Sequence, residues 1–164
     1  ICSSIPNAYA ANMNSAKQTV VSGTFEALAQ VEDECKKAGA RRVVRLAVAG
    51  PFHSPLMQKA ADEFAKVVEK ISFADPRIPL FSNVTGTQVL SGEEAKKNAV
   101  LHLTNPVLWT DEENILGATI TGDSLHKWQL LETGPGKVLT GLWKDCEYSG
   151  DISCTPVNSA DVII

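Results

Sequence analysis

The sequence lacks the features that mark membrane, secreted and repeat proteins. Its longest apolar runs fall well short of the roughly 20 residues that a membrane-spanning helix needs, and its first residues do not resemble a signal peptide. It has no internal repeat and no low-complexity stretch. We therefore expect a protein of the cytoplasm with no membrane partner.

Cysteines are few and scattered. Cys2, Cys35, Cys146 and Cys154 show no zinc-ligand spacing, and no histidine cluster accompanies them. The sequence thus predicts no metal site. It indicates free, buried thiols in a reducing compartment rather than a disulfide framework.

The composition is that of an ordinary globular protein, with 44% apolar and 21% charged residues among 164. The formal net charge of −4 makes nucleic acid an unexpected partner. Because the chain begins at Ile1 rather than methionine, we expect a processed product or a fragment.

Strand-like and helix-like patterns alternate along the chain, which predicts an α/β fold. Strands are expected at 9–14, 17–22, 41–48, 80–84, 128–132 and 152–157, and helices at 25–38, 56–71, 93–103, 107–116 and 137–143. Thr24 is the expected cap of the first helix, and Gly39 is its expected end. The opening order of two strands, a helix and a strand is one strand and one helix short of a ferredoxin-like module, and the missing unit would lie before Ile1.

The second helix has a regular apolar face. Ser54 is its expected N-cap and Pro55 its first residue. Apolar residues follow at spacings of three and four, namely Leu56, Ala60, Phe64, Val67 and Ile71. This pattern predicts an amphipathic helix packed on a core.

His53 lies between the predicted strand 41–48 and this helix. A histidine at such a junction is held on rigid elements with its ring at an open edge, where a general base is useful. We find no convincing nucleophile for it to activate. Gly122-Asp123-Ser124-Leu125 matches a hydrolase signature, but it precedes a strand rather than following one, so we interpret Ser124 as part of an exposed turn.

Four motifs occur in order along the chain. They are Ala11-Asn12-Met13-Asn14-Ser15 with Gln18 and Ser22-Gly23; Gly50-Pro51-Phe52-His53-Ser54-Pro55-Leu56-Met57; Leu103-Thr104-Asn105-Pro106-Val107-Leu108-Trp109; and Glu132-Thr133-Gly134-Pro135-Gly136-Lys137-Val138-Leu139. Together they resemble the C-terminal half of the malonyl-CoA:acyl carrier protein transacylase family. This family includes acyltransferase domains of polyketide and fatty acid synthases.

The resemblance implies a fold of two subdomains. In the family, a ferredoxin-like small subdomain accompanies an α/β-hydrolase-like large one. Here residues 1–48 would be part of the small subdomain, and residues 49–164 would be the C-terminal part of the large one.

The resemblance also implies a ping-pong acyltransferase of fatty acid biosynthesis. A serine in a Gly-His-Ser-Leu-Gly turn takes malonyl from malonyl-CoA and passes it to the phosphopantetheine thiol of acyl carrier protein. The sequence contains no Gly-x-Ser-x-Gly. We therefore expect the serine in a missing N-terminal half, in the same or another chain, and this chain alone to be inactive. Malonyl-CoA is implied as substrate, the partner carries the phosphopantetheine, and no further cofactor is implied.

Matching positions imply roles for individual residues. His53 corresponds to the catalytic histidine, and His102 to a position, often glutamine, whose main-chain carbonyl orients that histidine. Phe52 corresponds to a bulky residue that accompanies malonyl specificity, since a crowded pocket rejects an extra methyl group. Core packing remains an alternative for Phe52, and a surface position remains one for His102.

Asn12 and Asn14 correspond to positions near the acyl-CoA entrance, although asparagines are also common in turns. Lys36, Lys37, Arg41, Arg42 and Arg45 form a basic cluster. Its arginines, Arg41, Arg42 and Arg45, could dock an acidic carrier protein, or they could be a solvated helix end and strand edge.

Three other interpretations stay open. The chain could be a piece of a polyketide synthase acyltransferase. It could bind acyl-CoA or a carrier protein without catalysis. It could also be a self-contained esterase that uses a serine outside the known motifs.

Overall fold

The computed structural model describes residues 1–157 and shows an α/β arrangement, as predicted. Its strands are β1 (Ala8–Ser15), β2 (Gln18–Gly23), β3 (Leu80–Ser82), β4 (Thr87–Val89), β5 (Leu130–Thr133) and β6 (Cys154–Val157). Its helices are α1 (Phe25–Lys37), α2 (Gln58–Val68), α3 (Gly92–Leu101), α4 (Trp109–Gly122) and α5 (Val138–Trp143). Within the described residues, the strands form three two-stranded sheets.

The N-terminal hairpin and first helix match the sequence prediction. β1 pairs antiparallel with β2, and α1 packs on the hairpin around a small core of Ile5, Ala8, Ala27 and Val31. The Thr24 hydroxyl accepts a hydrogen bond from the Ala27 amide at 3.2 Å, which caps the helix as expected. Gly39 ends it with a φ of +86°, a left-handed conformation that costs glycine little.

The strand predicted at 41–48 is absent. This segment carries no strand pairing, and the side chains of Val44, Leu46 and Val48 are all more than half exposed. Its β-branched residues favour an extended backbone, but a strand also needs a neighbour to accept and donate hydrogen bonds. No described strand lies beside it, so the prediction of a rigid strand before His53 is wrong for this chain.

The second helix forms, but its predicted apolar face is uncovered. A short 3-10 helix at Pro55–Met57 leads into α2. The residues of the predicted face, Leu56, Ala60, Phe64, Val67 and Ile71, are all exposed. Ala61 and Val68 are buried instead, because α2 packs on α3 through a different side. The prediction that this face packs on a core is therefore wrong for the described residues.

The connection after α3 places β1 beside the third motif. The Val107 amide donates to the Ala11 carbonyl at 2.8 Å, and the Met13 amide donates to the Val107 carbonyl at 2.9 Å. This pairing holds Val107 in extended backbone, so α4 begins two residues later than predicted, at Trp109. α3 ends at Leu101, close to its expected limit.

The C-terminal elements follow the predicted order with shorter strands. β5 and β6 pair in parallel, and α5 follows the turn through Gly134 and Gly136, both of which have positive φ. β5 was expected at 128–132 as a buried strand, but it begins at Leu130 and alternates between half-buried and exposed side chains. β4 was not predicted.

All four cysteines are free. Cys146 is buried, whereas Cys2, Cys35 and Cys154 are half-buried, so the expectation of buried thiols is wrong for these three. None of the helices in residues 1–157 combines the length and the apolar character that crossing a bilayer requires.

Candidate active site

His53 is held in an unusual backbone conformation. Its φ is +58°, in the left-handed region that residues other than glycine seldom adopt. Its amide donates to the Leu103 carbonyl at 3.1 Å. Such strain persists only where surrounding contacts fix it, and it is commonest at functional sites.

Two serines fix the loop on either side of His53. The Ser22 hydroxyl, from β2, donates to the Phe52 carbonyl at 2.7 Å. The Ser54 hydroxyl donates to the Pro51 carbonyl at 2.6 Å, and Ser54 is completely buried. Ser54 stands at the predicted N-cap position, but its side chain makes no capping bond to the helix. The loop is therefore tied to β2 and to itself, in place of the strand that was expected to support it.

The His53 ring is oriented by a main-chain contact. Its Nδ1 lies 2.8 Å from the carbonyl oxygen of His102. A carbonyl oxygen can only accept, so Nδ1 carries a proton, and Nε2 of the neutral ring keeps its lone pair. The half-buried ring is thus prepared to accept a proton at Nε2, which is what a general base requires.

His102 follows the last residue of α3, and its ring lies beside that of His53. The ring centroids are 4.8 Å apart, and the planes are tilted by 45°. Nε2 of His102 is buried and has no hydrogen-bond partner among residues 1–157. Burial, with a smaller contribution from the charge of His53, lowers the pKa of His102. The ring of His102 is therefore neutral near neutral pH.

The structure places the three predicted substrate-binding residues, Phe52, Asn12 and Asn14, differently with respect to this pair. Phe52 directly precedes His53, and its side chain is 44% exposed. Asn12 pairs with Val107 through a parallel bridge, so β1 runs beside the segment that follows His102. The Asn14 amide donates to the Gln18 side chain at 2.9 Å across the hairpin. The structure thus brings Asn12 to the third motif, whereas Asn14 bonds within the hairpin.

The basic cluster lies on the surface, in the last turn of α1 and in the segment that follows it. Arg41, Arg42 and Arg45 are exposed. Arg45 Nε donates to a Glu32 carboxylate oxygen at 3.1 Å, and Lys36 binds the other oxygen at 2.7 Å. Part of the positive charge is therefore paired within the chain.

Ser124 lies in an exposed turn, as interpreted from the sequence. The nearby His126 ring bonds to Asp123 rather than to this serine, with Nδ1 and Oδ2 2.7 Å apart. Asp123 Oδ2 also accepts from the Trp128 indole at 3.1 Å. Within residues 1–157, no group of three or more His, Cys, Asp or Glu side chains is placed to hold a metal ion.

Sequence reasoning missed the residues that support His53. Ser22, Ser54 and the Leu103 carbonyl fix its loop, and all three residues belong to the quoted motifs. The sequence shows the two serines, but the acceptors of their hydroxyl groups depend on the tertiary fold. Main-chain acceptors such as Leu103 leave no signal in a side-chain pattern.

A histidine held in this way can serve as the base for a nucleophile, which is the arrangement found in enzymes that form covalent acyl intermediates. Residues 1–121 match the family described as the acyl transferase domain, and the chain belongs to this family.

Curated relatives carry one consistent description. The malonyl CoA-acyl carrier protein transacylase of Escherichia coli is 39% identical over 133 residues, which are 81% of this chain and 41% of that protein. The Bacillus subtilis protein of the same name is 33% identical over 135 residues, covering 82% of this chain and 40% of its own length. The chain spans about two fifths of the length of these relatives.

Solved structures agree with this assignment. An acyl carrier protein S-malonyltransferase from Vibrio cholerae has a TM-score of 0.85 and 34% identity, and the match covers 96% of this chain and 50% of that one. A malonyl-transacylase solved in complex with its type II PKS acyl-carrier protein has a TM-score of 0.86 and 38% identity. That match covers 99% of this chain and 51% of the other.

Proposed function

We propose that the chain supplies the general base for transfer of a malonyl group from malonyl-CoA to the phosphopantetheine thiol of acyl carrier protein, in fatty acid biosynthesis. The observation that carries this proposal is the 2.8 Å contact between His53 Nδ1 and the His102 carbonyl. It leaves Nε2 free to take a proton, in a chain whose relatives are named as malonyl transacylases. The nucleophilic serine lies outside the 164 residues.

The proposed reaction uses the tautomer of His53 that has its proton on Nδ1, next to the His102 carbonyl. Nε2 takes the serine proton as the serine oxygen attacks the malonyl thioester carbon, and main-chain amides outside this chain hold the oxyanion. The imidazolium then gives that proton to the departing thiolate of coenzyme A. In the second half, Nε2 takes the proton of the carrier's thiol, the sulfur attacks the malonyl ester, and the imidazolium returns a proton to serine.

The proposed architecture pairs a ferredoxin-like part at residues 1–48 with an α/β-hydrolase-like part at residues 49–164, of which 158–164 lie outside the described residues. The antiparallel β1–β2 hairpin with α1 supports the first assignment, and the parallel β5–β6 pair with α5 supports the second. We propose that a further N-terminal half covers the exposed apolar face of α2 and pairs with segment 41–48. Burying such surface stabilises association by about 25 cal/mol per Å² before the costs of binding are subtracted.

Phe52, Asn12 and Asn14 are the proposed contacts for the malonyl-CoA substrate, and Arg41, Arg42 and Arg45 the proposed contacts for the carrier protein. The exposed Phe52 ring next to His53 supports a role at the acyl group. No metal or tightly bound cofactor enters the proposed mechanism. The free cysteines support a reducing compartment such as the cytoplasm.

The test is intact-mass spectrometry after incubation with malonyl-CoA. The chain alone should form no adduct. Added to the separately produced N-terminal half of the Escherichia coli relative, it should give a malonyl adduct on that half. The His53→Asn variant should give none, while His126→Asn should behave as wild type. An adduct on this chain in isolation would contradict the proposal, because the nucleophile would then lie within the 164 residues.

A polyketide synthase acyltransferase is a second candidate for the setting. It is favoured by the similarity to a malonyl-transacylase solved with a type II PKS acyl-carrier protein. Comparing malonyl transfer to a fatty acid carrier and to a polyketide carrier distinguishes the two settings by relative kcat/KM.

A non-catalytic role in binding acyl-CoA or carrier protein is favoured by the absence of a Gly-x-Ser-x-Gly motif. Calorimetry with coenzyme A and with holo and apo carrier protein tests it. Pantetheine-dependent binding, with no adduct when an N-terminal half is supplied, would support binding alone.

A further inference from the structure

The peptide unit that joins Phe52 to His53 is held at both of its polar ends. Its carbonyl oxygen, from Phe52, accepts a hydrogen bond from the Ser22 hydroxyl at 2.7 Å. Its N–H, from His53, donates to the Leu103 carbonyl at 3.1 Å. The C=O and N–H of a planar trans peptide unit point in opposite directions, so two bonds from opposite sides fix the orientation of the plane.

The orientation of this plane sets the backbone conformation of His53. The peptide unit is rigid, so turning it changes ψ of Phe52 and φ of His53 together. The φ of His53 is +58°, a left-handed value that is unfavourable for a residue with a Cβ and needs a restraint from its surroundings. If the plane turned, the ring would be redirected and Nδ1 would leave the His102 carbonyl, which is now 2.8 Å away.

Ser22 stands on a rigid part of the chain, near the end of β2. Its neighbour Gly23 lets β2 lie against the start of β1, because a Cβ at this position would be 2.5 Å from the Asn7 carbonyl oxygen. β1 in turn pairs with Val107. The hairpin therefore holds the hydroxyl donor and, through Val107, the segment that carries both carbonyl acceptors of His53.

We propose that Ser22 is a positioning residue for the candidate base. Its hydroxyl holds the Phe52–His53 peptide unit so that His53 keeps its left-handed backbone and its Nδ1 stays on the His102 carbonyl. Ser22 thus acts through the tautomer of His53 rather than on the substrate. The consequence for malonyl transfer rests on the proposed function, whereas the effect on the His53 ring is measurable in the chain itself.

Substitutions at position 22 separate the hydroxyl from the shape of the side chain. Ser22→Ala removes the hydroxyl. Ser22→Thr and Ser22→Val form a matched pair, because both introduce a β-branched residue that suits a strand, and the two differ by a hydroxyl against a methyl group. Thr19→Ala is the control, since it removes an exposed hydroxyl from the same strand.

The first readout is nitrogen–proton NMR of the imidazole rings at alkaline pH, where histidine is neutral. The chain has three histidines, and His53→Asn identifies the signals of His53. In the wild type, Ser22→Thr and Thr19→Ala, the His53 proton should be on Nδ1. In Ser22→Ala and Ser22→Val this tautomer should give way to a mixture of both. The His126 ring, which is bonded to Asp123, should be unchanged in all of them.

Two NMR results would overturn the proposal. One is an unchanged tautomer of His53 in Ser22→Ala and Ser22→Val. The other is identical behaviour of Ser22→Thr and Ser22→Val, because the shape of the side chain rather than its hydroxyl would then decide. The alanine variant and the threonine–valine pair are independent comparisons, so either is sufficient if a variant of the other fails to fold.

The catalytic readout is the separation of kcat from KM. In the assembled enzyme, Ser22→Ala and Ser22→Val should lower kcat roughly tenfold to a hundredfold, the cost of a misplaced catalytic group. The KM for malonyl-CoA should stay near its wild-type value, and Ser22→Thr should retain activity. A raised KM with an unchanged kcat would indicate a role in substrate binding and overturn the proposal. Absence of turnover in every assembled protein, with the NMR difference intact, would count against the proposed function alone.

Discussion

The loop that carries His53 and the outer face of α2 are neighbours in sequence, yet they are stabilised in opposite ways. Ser22 of β2 and the loop's own Ser54 donate hydrogen bonds to carbonyls of the loop, and the His53 amide donates to the Leu103 carbonyl. The face of α2 carries apolar side chains that contact solvent, with Val67 57% exposed. The His53 loop is held by hydrogen bonds within residues 1–157, whereas none of the described residues covers the outer face of α2.

This difference separates what the chain can do by itself from what it can do in an assembly. The hydrogen bonds of the loop depend only on segments within residues 1–157, so the orientation of His53 does not require another chain. The apolar face gains its stabilisation only when it leaves water. We therefore expect a preformed base on a chain that self-associates or binds a partner half.

The largest expected effect comes from removing the imidazole of His53 from its loop. If the proposed function holds, His53→Asn in the assembled enzyme should lower the rate of malonyl transfer by roughly 10²–10⁴-fold, the usual contribution of a general base. Asparagine keeps a side chain that tolerates the left-handed backbone, so the loss reports on the imidazole rather than on the loop. Rapid-quench measurement of serine malonylation checks this.

His126→Asn is the matched control for this prediction, because His126 lies on an exposed turn bonded to Asp123. Its rate should equal that of the wild type. Full activity of His53→Asn would mean that the base lies elsewhere.

A buried carboxyl on α4 gives the next effect. Glu113 of α4 is 4% exposed, and its Oε1 has no hydrogen-bond partner among the described residues. Burial, strengthened by the nearby Asp145 and Glu112, raises the pKa of Glu113 to about 7. The folded chain therefore keeps this proton up to about pH 7, whereas the unfolded chain releases it near pH 4.3, roughly the ordinary value.

The sign of the pH dependence follows from that window. Between these two values the folded state binds the extra proton, so the contribution is fully present below about pH 4.3 and is lost as the pH rises through 7. Glu113→Gln should abolish this decline and raise the free energy of unfolding at pH 8 by about 3 kcal/mol relative to wild type. Urea unfolding at pH 5 and pH 8 measures it. The exposed Glu93→Gln serves as control, and a decline that persists in Glu113→Gln would contradict the assignment.

Two neighbouring valines on α2 sharpen the comparison within one helix. Val68 is 3% exposed and Val67 is 57% exposed. Val68→Ala should lower the free energy of unfolding by roughly 2 kcal/mol, from about 0.8 kcal/mol per buried methyl plus the cavity. Val67→Ala should change it by less than about 0.5 kcal/mol. Urea unfolding of the two variants at concentrations that keep the chain monomeric tests this, and equal losses would show that the outer face is covered.

The sequence predicted those parts of the fold that depend on local contacts. Thr24 and Gly39 delimit α1 correctly because capping bonds and a left-handed end residue act within a few positions. The predictions for segment 41–48 and for the α2 face were wrong because each depends on a packing partner: a neighbouring strand for the segment and a core for the helix face. A pattern of apolar residues predicts which face should be buried, but it does not supply the partner that buries it.

In the candidate site, too, features that depend on local sequence were predicted and features that depend on tertiary contacts were not. The base role of His53 was predicted from its place between two elements and from the family resemblance, which also added the carbonyl of His102, and it stays a prediction. The left-handed backbone of His53 and the anchoring by Ser22 were not predictable. They arise where the loop meets β2 and the end of α3, contacts between residues as much as 50 positions apart.

The smallest expected effect concerns the surface charges beside the uncovered segment. Arg45 is already paired with Glu32, so the exposed Arg41 and Arg42 are the better test of carrier docking. If an acidic carrier protein docks there, the double variant Arg41→Glu, Arg42→Glu should lower kcat/KM for the carrier by about tenfold at low salt, mainly through slower association. Malonylation by malonyl-CoA should persist in this variant, because coenzyme A would not use that surface. Lys127→Glu changes an exposed charge more than 80 positions further along the chain, and it should leave both half-reactions unchanged. Stopped-flow measurement of each half-reaction across a range of salt concentrations decides the matter, and an equal loss in both would remove these arginines from the docking surface.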